Sequence, residues 1–256
     1  MILDYKNSNI HYTESGKGSV IVLLHGFLET STMWTEFIPE LTKNNRVICV
    51  DLLGHGQTDC VGYVHTMENM AKAVHSVLNH LKIKRAKFIG HSMGGYVALA
   101  EEQPHLFEGL CLMNSTFEAD TEVRKLMRTR AIKMAHTNYE NLVRMSFANL
   151  FAPKSKITYK QDYEEALQIA LKTSVQGYIA AQEGMILRPN RLKIFKQLDG
   201  EKLILTGSKD ALINPDKIKA QIKNTSINHG ELSEGHMSHI ENKSDLSYFL
   251  KHFIEK

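Results

Sequence analysis

A serine with a glycine two positions to either side, in Gly90-His91-Ser92-Met93-Gly94, is the densest chemical signal in the chain. A serine hydroxyl is a poor nucleophile at neutral pH and acts only beside a base. Histidine, whose ordinary pKa lies near operating pH, suits that task. A buried carboxylate must then hold the imidazole in one tautomer and stabilise its charged form. The candidates for these three roles are Ser92, Asp210 and His236. Asp210 closes Gly207-Ser208-Lys209-Asp210, just beyond an expected strand, and His236 follows Gly235 in a loop. His239 competes for the base role, but the loop setting beside Gly235 favours His236. The two histidines have no carboxylate or cysteine at ligand spacing, so no metal is expected. His91, adjacent to the serine in a sharp turn, faces elsewhere and is read as structural.

Attack on a carbonyl creates an oxyanion that needs two fixed donors. The backbone N–H of Met93, at the start of the following helix, is one. The second is assigned to the backbone N–H of Phe27 in His25-Gly26-Phe27, where Gly26 lets the backbone approach closely. The side chains of Phe27, Trp34 and Met93 could floor an apolar pocket or be plain core.

These residues need elements to hold them. Val20–Leu24 is a continuous apolar run, read as a strand buried on both faces, and Arg46–Val50 reads as a second buried strand. Ala86–Ile89 is the strand into the Ser92 turn, Tyr96–Glu102 lies in the helix after it, and Gly109–Met113 is another strand. Met33–Thr42 is expected as a helix capped by Ser31 or Thr32, and Met67–Leu81 has helical spacing of apolar residues. Ile2–Lys6 and Ile10–Glu14 read as an edge hairpin. Strands alternating with helices require a parallel sheet with right-handed crossovers, with chemistry at the carboxyl ends of its strands. His25, Asp51 and Ser92 all sit at such ends. From about Phe117 to Leu187 no strand is convincing, and helices are expected over Thr121–Thr137, Tyr139–Phe151, Tyr163–Leu171 and Ser174–Ile186. The basic run Arg124, Lys125, Arg128, Arg130 and Lys133 reads as a solvated helix face, with an anion-attracting rim as the alternative. Alternation then resumes with strands over Lys202–Thr206 and Ser226–Leu232 and helices over Pro215–Ile222 and Ile240–Phe253. The organisation expected is a first core segment over 1–116, a helical cap over 117–187 and a second core segment over 188–256.

Composition narrows the class. Lys and Arg number 31 against 28 Asp and Glu, a net charge of +3 that makes no case for nucleic acid or a membrane surface. Cys49, Cys60 and Cys111 have no framework spacing, and most of the other histidines are expected at exposed positions. No signal core or span-length apolar run is seen, so a cytoplasmic protein is expected, monomer or homodimer.

The segments His25-Gly26-Phe27 with Trp34, Asp51-x-x-Gly54-His55-Gly56, Gly90-His91-Ser92-Met93-Gly94-Gly95, Gly207-x-x-Asp210 and Gly235-His236 together resemble the α/β-hydrolase superfamily, over roughly 18–115 and 200–256. The resemblance implies a mostly parallel central sheet of about eight strands flanked by helices, with a helical cap. It implies catalysis by Ser92, Asp210 and His236, an oxyanion hole from Phe27 and Met93, and no cofactor. Serine at the elbow departs from the aspartate of haloalkane dehalogenases and epoxide hydrolases. His25-Gly26-Phe27-Leu28-Glu29 lacks the glycine-proline-glycine of C–C bond hydrolases and is more similar to carboxylesterases and cofactor-free haloperoxidase-like esterases. A serine hydrolase of small carboxylic esters is the expected function. A C–C hydrolase or lyase with the same three residues, or a small-molecule receptor that retains them, are the alternatives.

Overall fold

The structure, a computed structural model, describes all 256 residues. Its strands are β1 (Ile2–Tyr5), β2 (Ser8–Gly16), β3 (Ser19–Leu24), β4 (Asn45–Val50), β5 (Ala86–His91), β6 (Phe107–Met113), β7 (Glu201–Gly207) and β8 (Asn228–Leu232). They form one sheet in the order β1-β2-β4-β3-β5-β6-β7-β8. The β1–β2 and β2–β4 pairings are antiparallel, and every pairing from β4 to β8 is parallel. The central strands are apolar at consecutive positions because helices cover both faces. On one face Val22, Leu24, Phe88 and Leu110 pack under the Met67–His80 and Met93–Leu99 helices. On the other, Ile21, Leu23, Ile89 and Cys111 pack with Trp34, Phe37 and the Lys243–Glu255 helix. Trp34 and Met93 are fully buried in these two cores, so neither side chain floors a pocket.

The segment expected as one helix over Met33–Thr42 is instead a 3-10 turn, Ser31–Trp34, and a four-residue helix, Ile38–Leu41. The cap is Thr30, whose hydroxyl accepts the Thr32 N–H. Two features outweigh the helical apolar spacing. Pro39 sets the start of the second helix, and Asp51 Oδ1 accepts the Ser31 N–H at 2.7 Å, tying the turn to the end of β4. The helix after Ser92 begins at Met93, as expected, but ends at Leu99, short of the expected Glu102.

Between β6 and β7 the chain forms helices Glu122–Ala135, Tyr139–Ala148, Ser155–Thr158, Lys160–Leu171, Val175–Leu187 and Leu192–Gln197. Thr121 and Ser174 cap two of them through their hydroxyls. Leu142, Val143, Phe147, Phe151, Leu167 and Tyr178 build a third core with Leu28, Met237 and Ile240. The segment is pinched at its base, where the Arg191 N–H donates to the Phe117 carbonyl at 2.7 Å. Arg128 departs from the solvated face expected for its run. Its guanidinium turns inward to Asp120 at 2.6 Å and Gln182 at 2.8 Å, and Arg188 contacts the other Asp120 oxygen at 2.8 Å. A buried carboxylate needs such partners. No helix is long and apolar enough to cross a membrane.

Candidate active site

The β5 strand runs straight into the Met93–Leu99 helix, and Ser92 at the corner has φ +46° and ψ −113°. A non-glycine residue holds that backbone only where its surroundings over-determine it. Here they do. The Ser92 N–H donates to Met113 O at 2.9 Å, and the Ser115 hydroxyl donates to Ser92 O at 2.7 Å. A Cβ on Gly90 would lie 2.5 Å from Gly95 N. One on Gly94 would lie 2.7 Å from the His25 carbonyl oxygen and closer still to that of Leu24. The two glycines therefore let the helix start press against the ends of β5 and β3. Ser92 stands half-exposed, while His91 and Met93 on either side are buried.

Three residues far apart in the chain converge here. His236 Nε2 lies 2.9 Å from Ser92 Oγ, and His236 Nδ1 lies 2.7 Å from Asp210 Oδ2. Asp210 sits past the end of β7 with its side chain fully buried. Its Oδ1 accepts the N–H groups of Leu212 at 2.8 Å and Ile213 at 3.1 Å, and its Oδ2 also accepts Asn114 Nδ2 at 3.2 Å. Burial pushes this carboxyl up, but the His236 ring and these donors outweigh it and hold the group below the usual aspartate value. With Asp210 ionised, Nδ1 of His236 carries the proton, and Nε2 is left as an acceptor facing the serine hydroxyl.

The loop of His236 is anchored on the inter-strand helical segment. The His236 N–H donates to Leu150 O at 2.9 Å. Glu241 accepts the Ala152 N–H at 2.8 Å through one oxygen and the Met237 N–H at 3.0 Å through the other. The Phe27 and Met93 N–H groups donate to no acceptor within the protein. The neighbouring Gly26 N–H is taken by Glu29 Oε2 at 2.6 Å. Phe27 itself is half-buried against Tyr178, with ring centroids 5.0 Å apart.

Several supporting residues escaped sequence reasoning. Asn114, with φ +45°, bridges Asp210 and the Gly235 carbonyl; an asparagine directly after a strand, where left-handed backbone is tolerated, was the available signal. Asp51 sits at a strand end as expected, but it is a clamp, accepting the Ser31 and Gln57 N–H groups and a His11 ring nitrogen. His25 is a second clamp: its Nδ1 donates to Gly26 O and its Nε2 accepts the Leu52 N–H. Apart from His91, His236 and His239, the histidines His11, His25, His55 and His65 are buried, a departure from the exposed positions expected for most of the others.

The family model described as the alpha/beta hydrolase fold matches residues 19–243. The chain belongs to that family. It is similar to the uncharacterized hydrolase YugF of Bacillus subtilis, 36% identical over 109 residues, 41% of this chain and 40% of the relative. The chain thus aligns to about two fifths of that relative's length. A longer match, 27% identical over 228 residues, covers 87% of this chain and 84% of 3-oxoadipate enol-lactonase 1 of Acinetobacter baylyi. Among solved structures, a thermophilic esterase from Thermogutta terrifontis superposes with a TM-score of 0.89 at 25% identity, covering 97% of this chain and 93% of that one.

Proposed function

We propose that this protein is a serine hydrolase of small carboxylic esters, open-chain or cyclic, working through an acyl-enzyme. The observation that carries the reading is the relay from Asp210 through His236 to Ser92, at 2.7 and 2.9 Å. Ser92 Oγ attacks the ester carbonyl as His236 Nε2 takes its proton. The oxyanion is held by the N–H groups of Phe27 and Met93, which have no other acceptor within the protein. Collapse breaks the C–O bond, and the imidazolium gives its proton to the leaving alkoxide. A water, deprotonated by the same nitrogen, then attacks the acyl-enzyme; the acid leaves and the proton returns to Ser92. Asp210 stays ionised throughout. No step calls for a cofactor or metal.

Residues 117–187 are read as a cap over a core formed by 1–116 and 188–256, with Tyr178 placed against Phe27 on the cap's underside. The names of the relatives favour the same chemistry, since an esterase and an enol-lactonase both open an ester linkage and a lactone is a cyclic ester.

The test is Ser92→Ala with p-nitrophenyl acetate, beside fluorophosphonate labelling and mass spectrometry of the labelled peptide. The variant is expected to lose turnover and labelling together, with the label on Ser92 in the unaltered chain. Full turnover by Ser92→Ala would remove the serine mechanism.

A further inference from the structure

We propose that Glu29 and His91 are positioning residues, a buried ion pair that holds the Gly26–Phe27 turn and the His236 loop in register on the Ser92 turn. This rests on the hydrolase reading above, with Ser92 and His236 as the reacting groups. His91 Nδ1 lies 2.6 Å from Glu29 Oε2, and His91 Nε2 lies 3.0 Å from the His236 carbonyl oxygen. Acceptors at both ring nitrogens require both to carry protons, so the ring is an imidazolium and Glu29 its counter-ion. Glu29 Oε2 also accepts the Gly26 N–H at 2.6 Å. One continuous bridge therefore runs from the residue before Phe27, through Glu29 and His91, to the backbone of His236. The side chains are 6% and 1% exposed, so solvent does not compete for these bonds. A Cβ on Gly26 would sit 2.5 Å from Glu29 Oε2 and 2.7 Å from His91 Nδ1, so only glycine lets the turn lie flush on the pair.

Neither residue hydrogen-bonds to Ser92 Oγ or the His236 ring nitrogens, although the His91 and His236 rings lie side by side with centroids 5.2 Å apart. Asp210 fixes the rotation of the His236 ring; His91 holds the carbonyl behind it; Glu29 sets the peptide beside the Phe27 donor. A metal reading of the same cluster fits less well. Glu29, His91 and His239 offer ligand atoms within 4.8 Å of one another, and His239 Nε2 is 3.7 Å from Glu29 Oε1. But both His91 nitrogens are engaged, which leaves one carboxylate oxygen and one imidazole, short of the three or four protein ligands usual for zinc.

The test compares the full chain with Glu29→Gln, His91→Gln and the double variant, reading kcat and KM for p-nitrophenyl acetate, fluorophosphonate labelling rate, Tm and metal content. A glutamine at 91 has a single amide and reaches either Glu29 or the His236 carbonyl, not both. Each single variant leaves a buried group without its partner and lowers Tm; the double leaves no unpaired charge and recovers most of it. In all three, kcat falls about ten- to a hundredfold, the cost of a small misplacement, with KM within about twofold and labelling slowed in parallel. A double variant with recovered Tm and wild-type kcat overturns the proposal. So does stoichiometric zinc in the wild type that is lost in His91→Gln and His239→Gln. Wild type that takes no label on Ser92 brings down the hydrolase reading and this proposal together.

Discussion

Replacing Asp210 by asparagine is the sharpest probe of the relay, because the change is nearly isosteric and its effect follows from the hydrogen bonds. Oδ1 of Asp210 receives the N–H groups of Leu212 and Ile213 at 2.8 and 3.1 Å. In Asp210→Asn those donors claim the amide oxygen, so the amide NH2 occupies the place of Oδ2, facing His236 Nδ1 at 2.7 Å. An NH2 there demands that Nδ1 accept, which moves the ring proton to Nε2. The nitrogen 2.9 Å from Ser92 Oγ then becomes a donor and cannot take the serine proton. The corresponding change in the serine-protease triad lowers kcat about 10⁴-fold, or about 5.5 kcal/mol of barrier. The assay is kcat for p-nitrophenyl acetate with fluorophosphonate labelling in parallel, on a variant shown to keep its Tm within a few degrees. Loss in both readouts is expected, with KM little changed. An Asp210→Asn enzyme within tenfold of wild type, folded and labelled at the normal rate, refutes the reasoning.

Two further outcomes follow from the same atoms. Gly94→Ala forces a Cβ into the Leu24 and His25 carbonyls, so Tm should fall and esterase activity with it, as thermal melts and turnover will show; an unchanged melt would mean the helix start does not press on β3 as described. Burial pushes His55 down to about 3 and His239 to about 4, so both are neutral in the folded chain. The unfolded chain takes up these protons from about pH 6.5 downward, so stability falls as pH drops from there towards 4, by up to about 2.7 kcal/mol per unit from the two together. Urea midpoints at pH 7, 5.5 and 4.5 measure the slope, and His239→Gln should make it shallower by up to about 1.4 kcal/mol per unit; an unchanged slope would show that His239 takes up its proton in the native state.

What could be read from the sequence divides along physical lines. The buried strands were legible because continuous β-branched runs such as Val20–Leu24 leave few alternatives, and β3 differs from that reading by one residue. The Ser92 corner was legible because its glycines are forced by close backbone approach, which is local. Met33–Thr42 misled because apolar spacing records burial, while the turn's geometry is set by Asp51 reaching Ser31 from a different strand. Glu29 carries no local signal: its role depends on His91, 62 residues away, and on a carbonyl contributed by His236. Arg128 was misjudged for the same reason, since only the fold brings Asp120 and Gln182 to it.

The pinch between Phe117 and Arg191 has a consequence for how such a chain could diversify. Everything between those two positions leaves the sheet and comes back through one doorway, so a different set of helices could be grafted there without disturbing strand pairing. The graft would not be free of obligations, however. The Leu150 carbonyl supplies the acceptor for the His236 N–H, and Ala152 occupies one oxygen of Glu241. A transplanted lid that failed to present an equivalent carbonyl and amide would alter reactivity even if it never met the substrate, so specificity and rate would be inherited together in this scaffold.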